Sequence, residues 1–330
     1  MDGQAARRPG LGHHAGLTGP VRSSGRIPVP GAHAAAGLGV SASGWLVGAA
    51  YNGPVAQSFV RAPDGAVTIV GPTDGDDGDT TDLVAIDDQG TAVGFERRRG
   101  SERPVRWTPD GVLLALAATA GSAVAINGSG VAVGWLDSDR GARPVAWAVD
   151  GTMTELAAPG PARAVAINDA GDILGHLPDG VVVWDGGAGV PRQLRSVVPP
   201  ADSFAFADGL HAMNDAGDIV GVAAGPSGPR AALWPGGGAA VHLAGGDGPS
   251  VARAVSEDGA VVGHVEIDGQ RHAAYWSPGD HRFHDLGLAD GDETMAYGIA
   301  LDGTIVGVVM VPIEHFPVPQ VVVFDEPPRP

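Results

Sequence analysis

The chain has 330 residues, 44% of them apolar, no lysine, no cysteine and a formal net charge of −18. That charge excludes nucleic acid and anionic membrane surfaces as natural partners, because both need a positive footprint; the missing cysteines exclude disulfides, thiolate nucleophiles and Cys-ligated zinc. Its 53 glycines and 27 prolines make up about a quarter of the chain, and the glycines recur periodically, so they read as turns rather than as disorder.

Residues 1–20 read as a flexible N-terminal tail. Arg7-Arg8 is not followed by the apolar run of an export signal, and no apolar stretch of 18 or more occurs anywhere. A cytoplasmic protein without a membrane partner is therefore expected. Residues 21–330 read as one domain. From about 33 to 325 a single phrase recurs, small–apolar–Asn–x–x–Gly–x–apolar–Val–Gly, clearest at Ala125–Gly134 and Ala166–Gly175. Its closing glycine falls at Gly48, Gly94, Gly134, Gly175, Gly221, Gly263 and Gly307, with spacings between 40 and 46. A tandem repeat of that length is the signature of a propeller or solenoid.

Each copy continues into an apolar run ending in an aromatic: Trp107, Trp147, Trp184, Trp234, Trp276 and Phe324. The first copy differs, with Phe59 two positions early and Arg61 in the aromatic slot. Every repeat thus predicts four short strands. In the third copy these are strand A (Val124–Ile126), strand B (Val131–Val133), strand C ending at Trp147 and strand D (Thr152–Leu156). Seven copies predict an all-β, seven-bladed β-propeller of four-stranded blades. Only six residues follow Phe324, so the last copy lacks its own strand D. Counting back from Val40 places the missing outer strand at about 25–29, where the N-terminal segment closes the ring. Pro28 is tolerated there because strand D is an edge.

The run His272-Ala273-Ala274-Tyr275-Trp276, followed by Asp285-Leu286-Gly287, resembles the bacterial HAF-repeat family. The resemblance covers nearly all of residues 33–325. The His slot holds Arg103, Arg143 and Arg230 in other copies and Gly180 in the fourth. Membership implies a propeller-like repeat fold, often in secreted proteins, and implies no particular activity.

Function is sought where the repeats break their own pattern. The A–B and C–D turns are short and stereotyped, whereas the D-to-A and B-to-C connections vary and meet on the opposite face. The seventh copy gains Val308–Pro319, which contains Glu314 and His315. The residue two before the Ile slot of strand A reads Leu38, Val84, Val124 and Val165, then His211, Arg253 and Tyr297. The residue after the closing glycine includes Phe95, Trp135, His176 and His264. One side of the channel mouth is therefore expected to hold His211, Arg253 and Tyr297 as catalytic groups. Phe95 and Trp135 would form an apolar wall, with His176, His264, Glu314 and His315 as further substrate contacts. His211 suits proton transfer, Arg253 a carboxylate or oxyanion, and Tyr297 hydrogen-bond donation. The structural alternative is that Arg253 pairs with a nearby Asp and the histidines cap backbone groups.

No cofactor motif is visible. Asp74, Asp76, Asp77 and Asp79 lie in an acidic loop that reads as solvated, with weak Ca²⁺ binding as the alternative, since Ala85 stands where an EF-hand needs Glu. His281 and His284, three apart, would face opposite sides of a strand and could not chelate together. The expected function is that of a cofactor-independent lyase, isomerase or cyclase acting on a small specialised metabolite. The alternative is a scaffold that binds a protein, peptide or sugar on the same face.

Overall fold

The computed structural model describes residues 23–52, 55–71, 79–178, 180–194, 212–225, 228–288, 293–300, 302–313, 316–324 and 327. These form seven four-stranded antiparallel sheets, one per repeat. The third repeat supplies Gly121–Ile126, Ala132–Leu136, Arg143–Trp147 and Met153–Glu155, paired in chain order. Strands A and B thus run further than the repeated phrase, and strand D is shorter than expected. In the seventh sheet the order is Ser23–Arg26, Phe316–Phe324, Ile305–Ile313, Thr294–Ile299. The N-terminal strand therefore completes the last blade, as the missing strand D required. It lies two to three residues earlier than expected: Gly25 pairs with Val323 and Arg26 with Val322, and Ile27 N–H donates to the Val321 carbonyl at 3.2 Å. Pro28 falls just beyond the strand, where its missing N–H costs nothing.

The apolar core follows the ring. Among the described residues it forms seven clusters, each bridging two adjacent blades. The strand C aromatic of one blade packs against strands of the blade before it. Trp184 lies with Val133 and Leu156, Trp234 with Leu174 and Val183, and Trp276 with Val220 and Leu233. Phe59 plays this part in the first blade, fully buried against Val306 and Val321 of the seventh. A displacement of two residues keeps a side chain on the same face of a strand, so the irregular first copy preserves the packing.

Two further features explain the phrase itself. Among the described residues strand A carries a bulge in six blades, and the unpaired residue is Leu38, Val84, Val124, Val165, Arg253 or Tyr297. The bulge presses the strand A backbone onto strand B. A Cβ on Gly134 would lie 2.0 Å from the Ser122 carbonyl oxygen, which is why the phrase closes on glycine. The asparagine is a staple between blades. Asn127 Oδ1 accepts the Val131 N–H at 3.0 Å and closes its own turn, while its Nδ2 donates to the Asn168 carbonyl at 3.0 Å. Asn168 repeats this towards Asn214, and Asn214 towards Ser256, each at 3.0 Å. The chain contains no helix long and apolar enough to cross a membrane among the described residues.

Candidate functional site at the channel mouth

Strand A begins, and strand B ends, on the face that carries the variable connections. Cross-strand pairing there fixes which side chains meet. Asp82 pairs with Phe95, Ser122 with Trp135, Arg163 with His176, and Val251 with His264. Every sequence candidate that follows a closing glycine thus has a strand A partner that the repeat comparison left unread.

Arg253 and Tyr297, the bulge residues of the sixth and seventh blades, are brought together. The guanidinium of Arg253 lies over the Tyr297 ring, 4.5 Å from its centroid. The Tyr297 hydroxyl points to Met295 Sδ at 3.9 Å, and Arg271 reaches the same sulfur at 3.8 Å while bonding Glu293 at 2.8 and 3.0 Å. The next blade round the ring contributes Tyr51, from strand B Leu46–Asn52. Burial first, and then the neighbouring Asp82 and Tyr297, push the Tyr51 hydroxyl pKa up. Tyr51 of blade one thus feels both Asp82 of blade two and Tyr297 of blade seven.

Asp82 is partly buried at the start of Thr80–Ile86. Among the described residues it accepts one side-chain hydrogen bond, from Thr80 Oγ1 at 3.3 Å. Burial pushes its pKa up, and the charge of Arg97 opposes this. Arg97 is itself held by Glu102, with Nη2 to Oε1 at 2.5 Å. It also lies 5.7 Å from the centroid of Phe95.

The wall expected to be apolar is consequently charged. Phe95 and Trp135 are only 3% and 6% exposed, and each has a guanidinium against its ring; Arg163 sits 4.7 Å from the Trp135 centroid. Burial lowers the pKa of Arg163, while Asp137 and Glu102 act in the opposite direction. His176 is buried beside Arg163, and burial, then the Arg163 charge, lower its pKa to about 4. It is a neutral imidazole at physiological pH. His264 is likewise buried in the wall, opposite Val251. Both are buried, at 8% and 7% exposed.

His211, Glu314 and His315 lie outside the described residues, as do Asp74, Asp76 and Asp77. On either side of 314–315 the gained segment extends strands B and C to nine residues each, paired as far as Ile313 with Phe316. Asp79 is buried and accepts the Arg99 N–H at 3.3 Å, a structural contact. His281 adopts φ 50° in the turn before Phe283–Gly287, and His284 meets the Tyr275 ring edge-on at 5.7 Å. The pair is thus divided between a turn and a strand. His272, the residue most like the HAF pattern, bonds Asp285 at 3.0 and 3.1 Å and ties strand C to strand D within its blade. Arg143 does the same to Glu155 at 2.7 Å.

A separate groove of ≈ 820 Å³ lies between the third and fourth blades, lined by Pro159, Pro161, Leu177, Val190, Pro191 and Gln193 among others. Among its described lining residues none is ionisable, so it offers shape without acid–base chemistry.

No protein-family model matches the chain, and no curated protein does. Solved structures do. The β-propeller domain of the trilobed protease from Pyrococcus furiosus, which has an open velcro topology, superposes with a TM-score of 0.61 at 10% identity, over 88% of this chain and 96% of that one. A streptogramin B lyase gives 0.59 at 10% identity, over 91% and 97%. Catalytically inactive virginiamycin B lyase from Staphylococcus aureus, with quinupristin, gives 0.57 at 11% identity, over 90% and 98%. Likeness at these identities shows the propeller fold.

Proposed function

We propose that the chain binds a small organic molecule at the mouth of its central channel, on the variable-loop face, and transforms it by acid–base chemistry without a redox cofactor. A lyase, isomerase or cyclase fits this description. The observation that carries the reading is the contact of Arg253 with Tyr297, in the same neighbourhood as Tyr51. Arg253 and Tyr297 meet there from two blades, and Tyr51 of a third blade feels Tyr297 and the charge of Asp82 from a fourth; each belongs to a type that binds or moves protons on organic substrates. The guanidinium carbon lies 4.5 Å from the ring centroid, and the guanidinium carries a fork of N–H donors along its edge. That edge suits a carboxylate or a developing oxyanion. Tyr297 supplies a hydroxyl, Asp82 a carboxylate of raised pKa, and His211 remains the sequence candidate for proton transfer. Two solved propellers that resemble the chain are named virginiamycin B lyase and streptogramin B lyase, and this supports the reading.

The test is a metabolite panel incubated without added cofactor and followed by mass spectrometry and thermal shift. Wild-type protein should bind or convert at least one member. Arg253→Ala, Tyr297→Phe and His211→Ala should abolish this with melting temperatures near wild type. Leu114→Ala, on the exposed outer strand Leu113–Ala115, should behave as wild type. If the three mouth variants retain full activity on a panel member that the wild type converts, the site lies elsewhere.

A further inference from the structure

The groove between the third and fourth blades exists because the fourth blade lacks side chains that fill the corresponding seam elsewhere. The seam between the fifth and sixth blades gives the comparison. Trp276 Nε1 donates to the Ala244 carbonyl of the preceding blade at 2.5 Å, and Trp184 Nε1 donates to Ala157 in the same way at 2.6 Å, so the two seams correspond. In the sixth blade Phe283 pairs with Trp276 and packs on Gly245, where a Cβ would come within 2.7 Å of the ring. Beside it the His272–Asp285 clamp ties strand C to strand D. The loop from the fifth blade lies down on this surface, with the Asp247 and Gly248 N–H groups donating to the Glu266 carbonyl at 3.0 and 3.3 Å.

The fourth blade differs at each of these points. Val182 pairs with Gln193 as Ala274 does with Asp285, so Gln193 takes the place of Asp285 and Pro191 that of Phe283. Gly180, four residues before Trp184, takes the place of His272. The incoming loop is Ala158-Pro159-Gly160-Pro161, whose prolines have no N–H to donate. Among the described residues nothing lies within 4 Å of a Cβ built on Gly160, so the loop stands clear of the sheet. What an aromatic ring and a charged clamp fill in one seam is a groove of ≈ 820 Å³ in the other.

We propose that this groove binds a neutral aromatic molecule, whose ring takes the place that Phe283 holds in the sixth blade. Its volume falls in the range of about 300–1,000 Å³ that small-molecule pockets occupy. Val190, 91% exposed at its edge, leaves apolar surface in water that a ring would cover. No described lining residue is ionisable, so a charged ligand would lose hydration without gaining a partner. The Gln193 amide, with Nε2 3.0 Å from where a Gly180 Cβ would stand, offers both a donor and an acceptor. The groove holds no acid or base, so its occupant is bound and not converted, and the proposal stands apart from the channel mouth.

The experiment titrates the purified full chain at pH 7 with benzamide and indole, and with benzoate and benzylammonium as charged counterparts of similar size, followed by ligand-observed NMR. The neutral probes should bind with dissociation constants of about 0.1–1 mM, as suits ligands of about ten atoms. The charged probes should bind at least tenfold more weakly. The triple variant Gly180→His, Pro191→Phe, Gln193→Asp gives the fourth blade the side chains of the sixth and should abolish benzamide binding while melting like the wild type. Ala158→Phe fills the groove from the opposite wall and should do the same, which keeps the test decisive where the triple variant does not fold. Arg253→Ala, in the mouth, should bind benzamide as the wild type does. The proposal is overturned if neither neutral probe binds, if the charged probes bind as tightly, or if a folded, filled variant retains binding. Loss of benzamide binding in Arg253→Ala would also overturn it, by placing the probe at the mouth; failure of the mouth in the metabolite panel leaves the groove result untouched.

Discussion

His176 shows how a residue read as a contact becomes something else in its setting. It pairs with Arg163 across strands A and B, is 8% exposed, and its pKa falls to about 4. A histidine whose folded pKa lies below its unfolded value of about 6.5 stabilises the fold fully above that unfolded pKa. The stabilisation is lost as pH falls from about 6.5 towards 4, because the unfolded chain binds the proton first. Linkage puts this loss at about 3 kcal/mol by pH 4. Urea titrations at pH 7 and pH 4 should therefore show a smaller acid-side loss for His176→Gln than for wild type. Equal losses would mean that the imidazole is reachable by protons in the folded state. Arg253 and Tyr297 were legible in the sequence because each breaks a slot that is apolar in blades one to four. Asp82, Arg163 and Tyr51 were not. Their importance comes from cross-strand pairing with Phe95 and His176 and from the meeting of separate blades, which no single copy of the repeat displays.

Among the elements, the repeated phrase was readable because each of its fixed residues answers a local demand. The inner glycine serves the A–B turn, as Gly130 does at φ 76°, and the closing glycine serves the bulge. The asparagine looked like a turn residue alone, and its bond to the next blade could not be seen within one copy. The irregular first copy was equally opaque, since only the packed ring shows Phe59 doing the work of a tryptophan. The N-terminal strand was found by subtraction, from a last repeat that ended too early. Ser23–Arg26 and the following Ile27 N–H dock on Phe316–Phe324. Each lost hydrogen bond is worth about 1 kcal/mol net, against a typical total stability of about 5–15 kcal/mol. Val29, buried at 8%, adds apolar contact in the cluster between the seventh and first blades. Deleting residues 1–30 should lower the melting temperature by more than 10 °C or cause aggregation, read by calorimetry and light scattering. A truncated chain that melts like the intact one would show that the ring closes without this strand.

At the scale of the whole molecule, the seven blades are close to equivalent in their packing and unequal at one end of the channel. The A–B face is held by the Asn staples and by carboxylates that accept from the preceding blade, such as Asp215 from Asp169 N–H at 2.6 Å and Glu257 from Asp215 N–H at 3.0 Å. The opposite face escapes this uniformity: there Arg253 of blade six lies over Tyr297 of blade seven, and Tyr51 of blade one feels Asp82 of blade two. A rigid ring with one variable end is a suitable scaffold for a site, because the strands fix side-chain positions while the connections differ. The apolar groove at Pro159 and Val190 is the competing location. Determining the structure of the chain with its tightest-binding metabolite separates the two most directly. The account predicts the molecule in the channel mouth, within hydrogen-bonding distance of Arg253 and against Tyr297; a molecule seated in the groove between the third and fourth blades, with the mouth unchanged, would contradict it.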